Sequence, residues 1–218
     1  MSSKALVLLS GGQDSATCLA IACDSGVESV QAVTFDYGQR HRIEIEKAQT
    51  LAGIAGVPIR VINAGFIGEL SQNALTNFDQ EISQKPGELP STFVPGRNLF
   101  FLSIAGVIAR QAGIERVYIG VCETDFSGYP DCRSAFIESA QRSINLAMET
   151  RITIATPLMY LTKTETVQLM AQQGKLAWYA ETHTCYEGQV PACGQCPACQ
   201  LRLKGFKGAG VVDPLPYQ

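Results

Sequence analysis

Leu9-Ser10-Gly11-Gly12-Gln13-Asp14-Ser15 is the stretch from which the rest of the chain can be read. An unbroken apolar run, Ala5 to Leu9, leads into it, the pattern of a strand buried on both faces. Ala16 to Cys23 leads out of it as a helix. Gly11 and Gly12 can take backbone angles closed to other residues and leave no side chain between the main chain and a ligand. Several N–H groups can then point at one anion, and the positive end of the helix dipole reinforces them. Strand, glycine turn and helix together read as a phosphate cradle.

The remaining residues of the turn narrow this reading. Ser10 and Ser15 supply hydroxyl donors, while Asp14 would repel phosphate unless a magnesium ion lies between them. A Walker A loop requires a lysine after its second glycine, and none follows here. The stretch instead resembles the S-G-G-x-D-S loop of the PP-loop ATP pyrophosphatases. By that resemblance Leu9, Ser10, Gly11, Gly12, Gln13, Asp14, Ser15, Ala16, Thr17, Cys18 and Leu19 bind ATP. The competing reading is a plain glycine turn with Asp14 as a helix cap.

The chain has 218 residues, 46% hydrophobic and 17% charged, enough for one domain with an appendage. A net charge of −3 argues against a large phosphate-backbone footprint, so no direct nucleic-acid partner is expected and a small-molecule substrate fits better. No apolar run reaches the roughly 18 residues of a membrane span, and no signal-type segment precedes the first strand. A cytoplasmic protein with no membrane partner is expected.

Beyond the first helix, strands are expected at 29–35, 59–62, 117–120 and 152–155. Helices are expected at 42–55, 98–112 and 134–150, and another opens at the capping box Thr162-Lys163-Thr164-Glu165 and stops at Gly174. Residues 64–92 show no sustained periodicity and read as helix fragments with a mobile, lid-like loop. This alternation predicts an α/β fold, a parallel five-stranded sheet with helices on both faces. Ligands of such sheets bind beyond the carboxyl ends of the strands. Polar clusters at 10–15, 36–41, 121–133 and 156–163 all follow strands, so all are expected to face one crevice. Loops of this kind often sit at dimer interfaces, which makes a homodimer a candidate assembly.

Three stretches carry candidate chemistry. Asp36-Tyr37-Gly38-Gln39-Arg40-His41 reads equally as a solvated turn or as residues delivered beside a nucleotide. Arg97 opens an apolar helix and is suited to clamp phosphate or carboxylate with its fixed donors. Residues 120–133 are longer and richer in acids and aromatics than a connection needs. A guanine-like ring offers a carboxylate two adjacent donors and offers an aromatic its face. Asp125 or Asp131 suits the first contact and Phe126 or Tyr129 the second, with Glu123 an equal acceptor and Asp131 open to a helix-capping role.

Cys185, Cys193, Cys196 and Cys199 form C-x7-C-x2-C-x2-C. That spacing, with glycines and prolines shaping the loops, reads as a closed tetrahedral zinc site with a structural role. An iron–sulfur cluster is the runner-up, since the close triplet also resembles ferredoxin spacing. The division expected is an α/β domain over 1–180 and a metal-binding segment over 181–218 packed on the crevice.

SGGQDS, FDYGQRH, FVPGRN, GVCETDFSGYPDCR and the terminal cysteine pattern together resemble the 7-cyano-7-deazaguanine synthases of queuosine precursor synthesis. The resemblance covers nearly the full length and implies an adenine nucleotide alpha hydrolase-like fold with a C-terminal zinc knuckle. It implies 7-carboxy-7-deazaguanine, ammonia and ATP with Mg2+ as reactants, and an acid and then an amide that are adenylated in turn. Asp14, Arg97 and Lys163 would be catalytic, and Asp125, Tyr129, Asp131 and Arg133 would hold the substrate. The alternatives are a PP-loop enzyme that thiolates tRNA through an iron–sulfur site, and a nucleotide-binding sensor that does not consume ATP.

Overall fold

The structure is a computed structural model that describes residues 3–83, 85, 87–124 and 128–218. Parallel strands β1 (Lys4–Leu8), β2 (Ser29–Asp36), β3 (Ile59–Asn63), β4 (Arg116–Tyr118) and β5 (Thr153–Ala155) form one sheet in the order β3-β2-β1-β4-β5. Strand order runs outward from β1 in both directions, so the crossovers part at the end of β1 and leave a crevice there.

Alternation along β1 builds both faces of the core. Leu6 and Leu8 point to one side, where they meet Leu102 and Ala105 of α4 (Arg97–Ala112) and Ile137 and Ile144 of α5 (Ser134–Met148), the layer that follows the one-turn α3 (Phe66–Glu69). Ala5, Val7 and Leu9 point to the other, against α1 (Gln13–Asp24) and α2 (Ile43–Ala55). Burying one leucine in this way contributes about 1.5–3 kcal/mol. On the α1 side lies a second apolar cluster formed with α6 (Lys163–Gln172) and α7 (Pro197–Ala209).

The differences from expectation have local causes. Helix α1 starts at Gln13 rather than Ala16, because its first turn is polar and gives no periodic signal. Helix α7 was not expected at all. Its buried face is Cys199, Arg202, Gly205 and Phe206, which does not read as a hydrophobic stripe. The described residues of 70–92 are irregular, yet part of the segment is pinned: Asn73 Oδ1 accepts the Leu75 and Thr76 N–H groups, and Arg40 donates to the carbonyls of Asn77, Phe78 and Gln80. Among the described residues no helix is long and apolar enough to cross a membrane.

Helices α6 and α7 lie close because α7 presents glycines to α6. A Cβ on Gly205 would stand 2.7 Å from Lys163 Cβ and 3.1 Å from its backbone, and one on Gly208 would stand 2.2 Å from Thr164 Oγ1. Gly205→Val is expected to destabilise the protein by about 1–3 kcal/mol. Thermal unfolding should show this as a fall of about 2–4 °C per kcal/mol lost.

Candidate active site

Gly11 and Gly12 shape the turn after β1. Gly11 has φ +89°, and a Cβ there would lie 2.0 Å from the Glu44 carbonyl oxygen, so no other residue fits. Ser15 Oγ donates to the Gly12 carbonyl (2.9 Å) and Ser10 Oγ accepts from the Gly12 N–H (3.3 Å). Among the described residues the start of α1 has no side-chain cap, its N-cap being Gly12, whereas α6 has a complete capping box from Thr162 and Glu165. The first N–H groups of α1 are thus left for an anion.

The expected clusters converge on a crevice of about 280 Å³ at the carboxyl end of the sheet. Leu9 to Ser15 lies along it with Tyr37, Gln39 and His41 from the loop after β2; Gly11 is the one member of the turn that does not itself line it. Val121, Cys122 and Tyr129 come from the loop after β4, and Lys163 from the start of α6. Ala16, Thr17, Cys18 and Leu19 are buried behind the turn. Gly120 lets α1 approach β4, since a Cβ on it would meet the Asp14 backbone at 2.9 Å.

Lys163 Nζ donates to Asp14 Oδ2, and the other Asp14 oxygen is buried with no hydrogen-bond partner among the described residues. That orphan oxygen suits a cation. Arg97 stands within 6.0 Å of the ring centroids of Tyr37 and Tyr129, and its Nη1 is 3.5 Å from the Tyr37 hydroxyl. Burial opposes its charge, but the Asp131 carboxylate and, at the high pH where arginine titrates, the ionised phenols of Tyr37 and Tyr129 outweigh it, so its pKa is raised and the guanidinium stays charged. Burial pushes the Tyr37 and Tyr186 phenols up, so both are neutral near pH 7. No carboxylate among the described residues forms an ion pair with Arg97, which makes the spot attractive to an anion.

The loop after β4 divides its expected residues. Tyr129 lines the crevice, stacked on Phe93, with its hydroxyl 2.5 Å from Thr92 Oγ1. Asp131 is buried outside the crevice lining, and its Oδ2 accepts the Asn98 N–H at 3.1 Å, so it caps α4 rather than the helix that follows it. Glu123 caps α5 by accepting the Ser134 N–H at 2.8 Å. Arg133 is exposed at the start of α5. Asp125 and Phe126 lie outside the described residues.

The Sγ atoms of Cys185, Cys193, Cys196 and Cys199 all lie within 4.8 Å of one another, the arrangement of a metal centre. Backbone N–H groups of Gln195 and Cys196 donate to Cys193 Sγ (3.4 and 3.3 Å), which favours the thiolate a metal requires. Two features here had no sequence signal. Arg202, 1% exposed, pairs through two nitrogens with Asp213 (2.7 and 2.8 Å) and also donates to Thr182 Oγ1 and the Tyr179 carbonyl. The His183 N–H then donates to the Gly11 carbonyl at 2.9 Å, so the C-terminal segment braces the glycine turn.

The sheet order, the uncapped glycine turn and the Asp14–Lys163 pair define the class, an α/β nucleotide-binding protein of the PP-loop type. Residues 4–210 match the family described as queuosine biosynthesis protein QueC, and the chain belongs to it. The 7-cyano-7-deazaguanine synthase of Chromobacterium violaceum is 50% identical over 218 residues, 97% of this chain and 92% of its own. That of Bacillus subtilis is 51% identical over 206 residues, covering 94% of each. The U34-tRNA thiolase NcsA of Methanococcus maripaludis, solved with its [4Fe-4S] cluster, shares the fold alone: TM-score 0.53, 13% identity, 95% of this chain and 68% of its own.

Breaking the Arg202–Asp213 pair leaves a buried charge. Asp213→Asn is expected to cost about 3–5 kcal/mol in chemical denaturation. Nucleotide that binds the folded glycine turn and not the unfolded chain should restore part of the lost stability.

Proposed function

We propose that this chain is an ATP-dependent 7-cyano-7-deazaguanine synthase, converting 7-carboxy-7-deazaguanine and ammonia to the nitrile of the queuosine pathway. The observation that carries the reading is one crevice, in a chain of this family, holding an uncapped glycine turn, the Asp14–Lys163 pair and Arg97 among tyrosines. A carboxylate is a poor electrophile, so its oxygen attacks the α-phosphate of ATP, giving an acyl-adenylate and releasing pyrophosphate. Ammonia displaces AMP to form the amide. The amide oxygen is activated in the same way, and its departure on AMP leaves the nitrile.

In this reading Leu9 to Leu19 holds ATP, with the first N–H groups of α1 on its phosphates. Asp14 would hold Mg2+, a reading its unpartnered oxygen supports, and the ion would supply charge neutralisation on the phosphates. Lys163 and Arg97 stabilise the charge that develops at the α-phosphate and carboxyl oxygens. Tyr129 and Asp125 hold the deazaguanine ring. Asp131 acts through α4, whose first turn it fixes with Arg97 at its head.

Zinc is the metal proposed for the four thiolates. A Zn–S distance of about 2.3 Å sets a tetrahedron edge of about 3.8 Å, and Cys193 and Cys199 stand 3.9 Å apart. A cubane iron–sulfur cluster holds its ligand sulfurs farther apart. Metal analysis should find one zinc per chain and no iron.

Purified protein given magnesium ATP, an ammonium salt and the acid should yield the nitrile and AMP by mass spectrometry. Recovery of the acid and intact ATP from folded, zinc-loaded protein would overturn the assignment. Arg97→Met should lower kcat/KM by about 10²–10³ with the fold intact, the loss typical of one transition-state donor.

A further inference from the structure

The loop after β2 contains more polar side chains than its turn consumes, and following each to its partner leaves one unused. Asp36 pairs with Arg42 at 2.5 Å. Gln39 closes its own turn, accepting the Tyr37 N–H at 2.8 Å and donating to the Phe35 carbonyl at 3.0 Å. Arg40 is committed to the carbonyls of Asn77, Phe78 and Gln80 and to the Glu187 carboxylate. His41 remains. It lines the crevice and is 4% exposed, and its Nδ1 is buried with no hydrogen-bond partner among the described residues.

Its other nitrogen, Nε2, stands 3.3 Å from Oε2 of Glu44 in the first turn of α2. Glu44 faces the glycine turn, since a Cβ on Gly12 would lie 3.7 Å from Glu44 Oε1. A carboxylate so near a phosphate cradle works against the binding of ATP unless a cation separates them. Asp14 and Glu44 are the carboxylates among the described residues lining the crevice. Asp14 has Lys163, whereas Glu44 has only an imidazole. The other titratable groups around this pair are the neutral phenols of Tyr37 and Tyr186, with Arg97 and Tyr129 beyond them.

Resting on the synthase reading, we propose that Glu44 and His41 form the ammonium site of this crevice, Glu44 drawing in NH4+ and His41 taking its proton. The synthase needs this step because ammonium, the main form near pH 7, has no lone pair with which to attack. One proton passes from NH4+ to the imidazole, and the freed lone pair attacks the acyl carbon of the carboxyl-adenylate. The C–O bond to AMP breaks, its electron pair leaves on the phosphate oxygen, and the nitrogen sheds a second proton to become the neutral amide. After the second adenylation the nitrogen sheds its last two protons as C–O cleavage forms the nitrile. His41 accepts protons in turn and returns them to solvent between steps.

The test uses zinc-loaded His41→Gln and Glu44→Gln enzymes. Acid-dependent exchange of labelled pyrophosphate into ATP, without any amine, reports adenylation alone, and its presence in the parent enzyme tests the synthase reading separately. The ammonium-dependent step should fall by about 10²–10⁴ in kcat/KM in His41→Gln, while pyrophosphate exchange falls far less. Hydroxylamine, largely unprotonated at neutral pH, should bypass the defect and trap the adenylate as hydroxamate at near the parent rate. Glu44→Gln should raise the KM for ammonium more than it lowers kcat. Equal loss of exchange and of amide formation, or no rescue by hydroxylamine, would overturn the proposal and leave the pair a structural one.

Discussion

One close approach governs this structure: the backbone of Gly11 against the carbonyl of Glu44. Only a residue without a side chain, at positive φ, permits it. The consequence extends past the turn. Helix α2 comes near enough to place Glu44 and His41 beside the glycine turn, and the Gly11 carbonyl stays free to receive the His183 N–H. A single glycine therefore joins the first strand–helix unit, the second helix and the C-terminal segment. The crevice is the space these three leave between them.

The C-terminal segment is where a small α/β domain gains rigidity at its open end. Four cysteines gathered closely enough to hold a metal ion and a buried Arg202–Asp213 pair hold chain that has little apolar surface of its own. The neighbouring residues deliver this rigidity to the site. Tyr186, one residue beyond Cys185, stands 3.5 Å from the Tyr129 hydroxyl, and Glu187 meets Arg40. The loops after β2 and β4 and the segment 77–80 are thereby tied to the cysteine cluster. A crevice fixed in this way can keep water from a reactive adenylate while leaving its donors already oriented.

The architecture was legible because burial on both faces leaves a strong imprint. Runs such as Ala5 to Leu9 have no other stable use, and polar clusters beyond such runs must meet at one end of a parallel sheet. Cysteine spacing gave the four-cysteine cluster for a similar reason, since its members are close in the chain. What stayed hidden depends on contacts between distant residues. Helix α7 packs with glycines, a cysteine and an arginine, and no periodicity reveals it. Asp131 and Glu123 read as ring acceptors by composition, but each meets a helix start that only the fold brings near. Glu44 carried no signal at all: a glutamate in the first turn of a helix is ordinary until a glycine is seen against it.

The central claim is that one phosphate cradle is used twice, once on an acid and once on the amide made from it. Labelling both carboxyl oxygens of the 7-carboxy-7-deazaguanine with oxygen-18 and following them by mass spectrometry tests this directly. The account predicts two AMP per nitrile, each carrying one labelled oxygen, with none in water or orthophosphate. Label appearing in water or orthophosphate, or in only one AMP per nitrile, would contradict it.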